Sequence, residues 1–170
     1  IPLPNQTTWM DHLHGLDYRP TAFRLEWMQE AEDDLAESSE FLAVLIRELR
    51  PDVLHLNHFC YGNLPVDVPC VVMAQGDLIT WSRAVHERSP RAAQDLAWYR
   101  RTVLDGLHGA DAVVAPSNWM LEQISDCYGA PARGEVIYPG RNPIFFNPYV
   151  SKDDCVLAVG RLVDASKQVF

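Results

Sequence analysis

Residues 110–142, ADAVVAPSNWMLEQISDCYGAPARGEVIYPGRN, constrain the fold more than any other stretch. Residues 112–115 are a short apolar run, of the length of a strand buried on both faces. Pro116 ends it, and Ser117 stands where a helix N-cap belongs, its hydroxyl able to accept an orphan backbone N–H. Met120, Leu121, Ile124 and Tyr128 then recur at helical spacing, and Gly129 closes the segment. Residues 135–138 read as a second short strand, and Gly140 turns the chain away. Strand, loop, helix, loop and strand within about thirty residues make a βαβ unit, and such units build parallel sheets. Ligands bind these sheets beyond the carboxyl ends of the strands, so residues 116–119 lie on the candidate functional edge.

The rest of the chain extends the same pattern. Residues 1–20 are irregular, with Pro2, Pro4 and Pro20, and an opening IPLP without methionine implies a preceding segment. Residues 23–28 read as a short strand. Residues 31–50 are helical, with Leu35, Leu42, Leu45, Ile46 and Leu49 on one face. Glu32, Asp33, Asp34 and Glu37 complement the positive end of that helix as a solvated face. After Pro51, residues 53–56 and 68–74 read as two buried strands around the loop NHFCYGNLPVD. QGDLITW follows the second strand, again on the ligand edge. Residues 92–108 form the longest clean helix, with Leu96, Tyr99, Val103 and Leu107 in line. Beyond Gly140, RNPIFFNPYVSKDD has no period and reads as a linker, after which residues 155–159 start a fresh apolar strand ending in Gly160-Arg161-Leu162. The expected organisation is an N-terminal domain (1–142), a linker (143–154) and the start of a second domain (155–170).

Composition removes several function classes. Net charge is −9, and only Lys152 and Lys167 are lysines among fourteen basic residues, so neither nucleic acid nor a basic membrane patch is indicated. Cys60, Cys70, Cys127 and Cys155 form no CxxC pair and read as buried free thiols of a reducing compartment. No apolar run approaches the ~18 residues of a membrane span and no signal peptide opens the sequence, which makes the cytoplasm the expected location. Asn5-Gln6-Thr7 matches a glycosylation acceptor by chance in that setting.

The ordered segments PDVLHLN, VPCVVMAQGD, YRRTVLDGLHGADAVVAPSNWM, EVIYPGRNPIFFNP and VLAVGRLVDASKQ resemble the retaining glycosyltransferases of family 4. The resemblance runs from about Arg50 to Lys167, roughly two thirds of the chain. It implies the GT-B fold, two Rossmann-like α/β domains of doubly wound parallel sheet facing each other across a cleft. Here that is the acceptor-side domain, lacking its first strand, plus the start of the donor domain. The implied reaction moves a sugar from a nucleotide-sugar donor to a glycan, lipid or small-molecule acceptor with retention of configuration. The resemblance puts the donor diphosphate on Gly160, Arg161 and Lys167. The planar fork of arginine and the point charge of lysine suit a departing diphosphate, with no metal or other cofactor required. The family's pair of glutamates and its glycine-rich loop would lie outside residues 1–170.

On the acceptor-side domain, family members commonly carry a histidine after the second strand read here; this chain has Gln75, then Gly76 and Asp77. Glutamine can hydrogen-bond a sugar hydroxyl but cannot take its proton at neutral pH. Asp77 is either a hydroxyl acceptor or the cap of a helix starting near Ile79. Ser117 and Asn118 either touch the donor or begin a helix, and Asn57, His58 and Tyr61 line the acceptor side. Two other classes stay open. Gln75 suits a non-catalytic module binding a nucleotide sugar or glycan. His12 and His14, an HxH pair joined by His55 and His58, are the pattern of a metal-dependent hydrolase if they sit at a strand end.

Overall fold

The structure is a computed structural model that describes residues 7–86 and 94–160. Helix α1 (Glu32–Leu49) leads into strand β1 (Leu54–Leu56), and β2 (Cys70–Met73) follows after a 3-10 turn at Phe59–Asn63. Helices α2 (Leu78–His86) and α3 (Gln94–Gly109) connect to β3 (Ala112–Ala115), and α4 (Asn118–Tyr128) connects to β4 (Gly134–Val136). The four strands form one parallel sheet in the order β1-β2-β3-β4. Val72 pairs with Val113, and Val113 with Gly134, so one register runs across the sheet. This is the α/β, Rossmann-like architecture that the sequence implies.

Each element forms for reasons written in its residues. Glu32, Asp33 and Asp34 occupy the first turn of α1, where the positive helix end favours them. Ser117 caps α4 by accepting the Met120 N–H at 3.2 Å, and Gly129, at φ 87°, ends it. Strand alternation sends Leu54, Val72, Ala74, Val113 and Ala115 to one face, where Tyr99, Val103 and Leu107 of α3 and Met120, Ile124 and Cys127 of α4 cover them. Val72, Val103, Val113 and Ile124 have no exposed surface. Burying such a side chain contributes ~1.5–3 kcal/mol. Close approach matters where α3 crosses the 3-10 turn: a Cβ on Gly106 would stand 1.8 Å from the Phe59 carbonyl oxygen. Only glycine lets these two backbones meet.

Several expectations need correction. The strands at residues 53–56 and 68–74 are covered on one face rather than two: His55 is exposed, and Val71 and Met73 are half-buried. The described helices pack on the opposite side, with Leu54 and Val72. Residues 23–28 make no strand. The chain turns there, Met28 donating to the Leu25 carbonyl and Arg24 N–H to the Asp34 carboxylate, with Glu30 in the left-handed region at φ 54°. Leu49 is 53% exposed because Arg50, also left-handed, ends α1 and turns the chain away; Ser38, Ala43 and Ile46 carry the buried stripe instead. Residues 155–159 are exposed and not in a strand, and Cys155 is exposed with them. A strand exists only as a ladder partner, and no described strand lies beside this run. Cys60, Cys70 and Cys127 are buried free thiols as read. Among the described residues no helix is long and apolar enough to cross a membrane.

Candidate functional site

A cleft of about 710 Å³ opens at the carboxyl ends of β1 and β2 and beside the start of α4. Parallel strands end there together, so loops from distant parts of the sequence converge. Asn57 and His58 come from the end of β1, and Gln75, Gly76 and Asp77 from the end of β2. The Gln75 side-chain amide donates to the Asn57 side-chain Oδ1 at 3.5 Å, joining the two loops. Glu26 enters from the turn ahead of α1. Three tryptophans complete the rim: Trp27 from that turn, Trp81 from α2 and Trp119 from α4.

Glu26 and His58 form the cleft's ionisable pair. The carboxylate is 7% exposed and lies 3.0 Å and 3.2 Å from the imidazole Nδ1, while His58 keeps 37% of its side chain exposed. The hydrogen bond to Glu26 raises the His58 pKa above its ordinary value, burial opposes this, and the carboxylate's charge adds to the rise. With Nδ1 donating to Glu26, the neutral ring leaves Nε2 as an acceptor; in the protonated ring both nitrogens donate. The pair can therefore offer a hydroxyl either a donor or an acceptor. Beside it, burial first and then the Glu26 charge push the Cys60 thiol up, so Cys60 stays a protonated core residue.

Asp77 resolves in favour of the cap. Its carboxylate accepts from the Ile79 N–H at 3.1 Å and the Thr80 N–H at 3.0 Å, closing the first turn of α2. It also accepts from the Thr80, Tyr99 and Tyr128 hydroxyls. Tyr99 and Tyr128 are each 4% exposed, and burial followed by the Asp77 charge pushes both phenols up. One carboxylate thus ties α2, α3 and α4 together behind the cleft wall, with both oxygens committed to the protein's own donors.

The remaining expected residues divide. Gly76, at φ 148°, lines the opening, in a conformation that glycine adopts freely. Ser117 is spent on its cap, and Asn118 is exposed, donating to the Tyr138 hydroxyl at 3.3 Å. Tyr61 points elsewhere: its hydroxyl lies 2.8 Å from Ser38 of α1, and it borders a smaller cavity at the amino ends of the strands. Gly160 is exposed at the last described position, and Arg161 and Lys167 lie outside the described residues. His12 ends the 3-10 turn Thr8–His12 and His14 follows in the next turn, both exposed and neither at a strand end, so the two do not share a strand face. No group of three or more metal-capable side chains gathers among the described residues. Sequence reasoning missed Glu26 and Trp27, and it placed Trp81 and Trp119 on the ligand edge without naming them as site residues. A lone acid within FRLEWM and a tryptophan in the first turn of each of α2 and α4 were the available signals.

A Rossmann-like α/β domain with a cleft at the carboxyl ends of its strands has that cleft where parallel α/β sheets bind their ligands. The family comparison gives it a particular place: the chain matches the model described as Glycosyltransferase Family 4 over residues 10–144. It belongs to glycosyltransferase family 4. No curated protein and no solved structure matches it.

Proposed function

We propose that the protein transfers a sugar, of hexosyl type, from a nucleotide-sugar donor to an acceptor with retention of configuration, in the cytoplasm. The family match over residues 10–144 is the observation that carries this reading. The cleft at the carboxyl ends of β1 and β2 is where the acceptor-side domain would receive its substrate. Its Asn57, Gln75 and His58 side chains suit hydroxyl groups. Gly160, Arg161 and Lys167 hold the donor diphosphate in this reading. Two fixed cations stabilise the charge that develops as the diphosphate departs, in place of a divalent metal.

The test is donor turnover by the full-length protein over a panel of nucleotide sugars, with the product's anomeric configuration read by NMR. Arg161→Ala or Lys167→Ala should each weaken donor use. A charge-assisted contact is worth about 1.5–3 kcal/mol net. At ~1.4 kcal/mol per tenfold, this is about 10- to 100-fold. Arg161→Lys should recover only part of the loss, since the planar fork is gone. Inverted product, unchanged kinetics in both alanine variants, or activity lost to EDTA and restored by a divalent ion would each overturn a named part of the reading.

A further inference from the structure

We infer that the cleft binds a saccharide, with a pyranose ring of the acceptor stacked on the tryptophan rim and its hydroxyls held by His58, Asn57 and Gln75. This rests on the transferase reading above and adds to it the chemical class of the acceptor. Trp27, Trp81 and Trp119 come from three separate elements, yet all border one cleft, and they are 54%, 41% and 48% exposed. Folding ordinarily buries indoles of this size. Three half-exposed around one opening form a prepared surface, because rigid aromatic side chains lose little entropy when a ligand covers them.

The rest of the lining chooses among ligands. A pyranose has one apolar C–H face and a rim of hydroxyls, each both donor and acceptor. The cleft matches this duality: its lining brings the three indoles together with the Asn57–Gln75 amide pair and the Glu26–His58 pair. The His58 Nε2 has no protein partner among the described residues, and 37% of the side chain is open to the cleft and solvent. A lipid tail would take water from the Glu26–His58 pair, from the His58 Nε2 and from the remaining donors and acceptors of both amides, a cost of several kcal/mol in apolar surroundings. An anionic membrane surface is disfavoured by the net charge of −9 and by the scarcity of lysine. Asp77 contributes through position only: by fixing the start of α2 it sets where Trp81 stands.

The experiment titrates the full-length protein with the α- and β-methyl pyranosides of glucose, galactose and mannose. Tryptophan fluorescence reports saturation, and saturation-transfer NMR reports which ring protons contact the protein. In parallel, nucleotide sugars are incubated with the wild-type protein and release of nucleoside diphosphate is measured. At least one pyranoside should saturate, with transfer strongest to the C–H protons of one ring face. Trp81→Ala and Trp119→Ala should each weaken that binding about tenfold or more, as truncation of an aromatic anchor does. Trp119→Phe should restore part of it, which a mere folding defect would not allow. Circular dichroism confirms that each variant is folded, and the half-exposed positions tolerate the change. Saturation by none of the pyranosides, undiminished binding in folded alanine variants, or binding to phosphatidylcholine or phosphatidylglycerol vesicles in place of sugars would overturn the inference. Nucleoside diphosphate release without pyranoside binding sinks this inference alone. Pyranoside binding with no release from any nucleotide sugar sinks the transferase reading and leaves the saccharide site standing.

Discussion

Replacing Asp77 tests whether the cleft wall is built around one carboxylate. Asp77→Ala removes the acceptor of the Ile79 and Thr80 N–H groups, a cap worth ~1 kcal/mol. It also strips the buried Tyr128 hydroxyl of its carboxylate acceptor and takes the same acceptor from Tyr99, which keeps the Leu78 N–H that it accepts. An orphaned buried hydroxyl costs about 1–3 kcal/mol. The whole change should destabilise by about 3–5 kcal/mol, or roughly 6–20 °C in Tm at ~2–4 °C per kcal/mol. Asp77→Asn keeps one carbonyl acceptor and should cost about half as much, in line with a neutral rather than charge-assisted bond. Denaturant titration of the full-length chain measures both. A double-mutant cycle with Tyr128→Phe separates the two parts: without the phenol there is no orphan, so Asp77→Ala should cost ~1 kcal/mol less or better in that background. Strict additivity, or a loss below ~1 kcal/mol for Asp77→Ala, would refute the shared-carboxylate account.

Three further outcomes follow from the same structure. Gly106→Ala should destabilise by at least ~1–3 kcal/mol, because a Cβ 1.8 Å from the Phe59 oxygen forces α3 off the turn; unfolding in urea reads it. His58→Gln should narrow its stability gap to wild type as pH rises. The His58 pKa is raised in the folded state, so the stabilisation by Glu26 is complete below the ordinary value near 6.5 and fades as pH climbs through the folded value. A gap that widened from pH 6 to pH 9 would contradict the Glu26 contact. Ser117→Ala should cost ~1 kcal/mol by thermal melt, with little effect on ligand binding, since the hydroxyl is committed to the Met120 N–H.

The fold was legible where local and global signals agree. Residues 110–142 spell strand, cap, helix, glycine stop and strand in short-range chemistry, and β3, α4 and β4 stand where that chemistry puts them. The failures share one cause: a strand is a relation between segments, and its residues do not say whether a partner is beside them. FRLEWM and CVLAV both have strand composition. The first is turned aside by bonds from Arg24 to Asp34 and Glu30, and the second has no described ladder to join. Coverage is likewise a property of the sheet. VLHL reads as a largely apolar run, yet its histidine faces the side that the described helices leave open, so His55 meets solvent.

The site was legible by topology and hidden in its chemistry. Knowing that ligands gather at strand carboxyl ends is enough to name Asn57, His58, Gln75 and Gly76, because each directly follows a strand. Nothing local distinguishes Glu26 from the other acids around it; only the fold brings it 3.0 Å from a histidine thirty-two positions away. Asp77 shows the converse. Its place in the sequence suits a substrate contact, but five protein donors already occupy its carboxylate, and a half-buried acceptor so engaged has little left for a sugar. Topology put two of the tryptophans on the ligand edge, within residues 75–81 and 116–119, but an apolar side chain there does not by its type announce a ligand contact. Trp81 and Trp119 sit within the first turn of α2 and α4, where a helix starts at the ligand edge and its outward side chains reach over the cleft rather than into the core. A large apolar residue in the first turn after a parallel strand is therefore as much a site signal as a polar one.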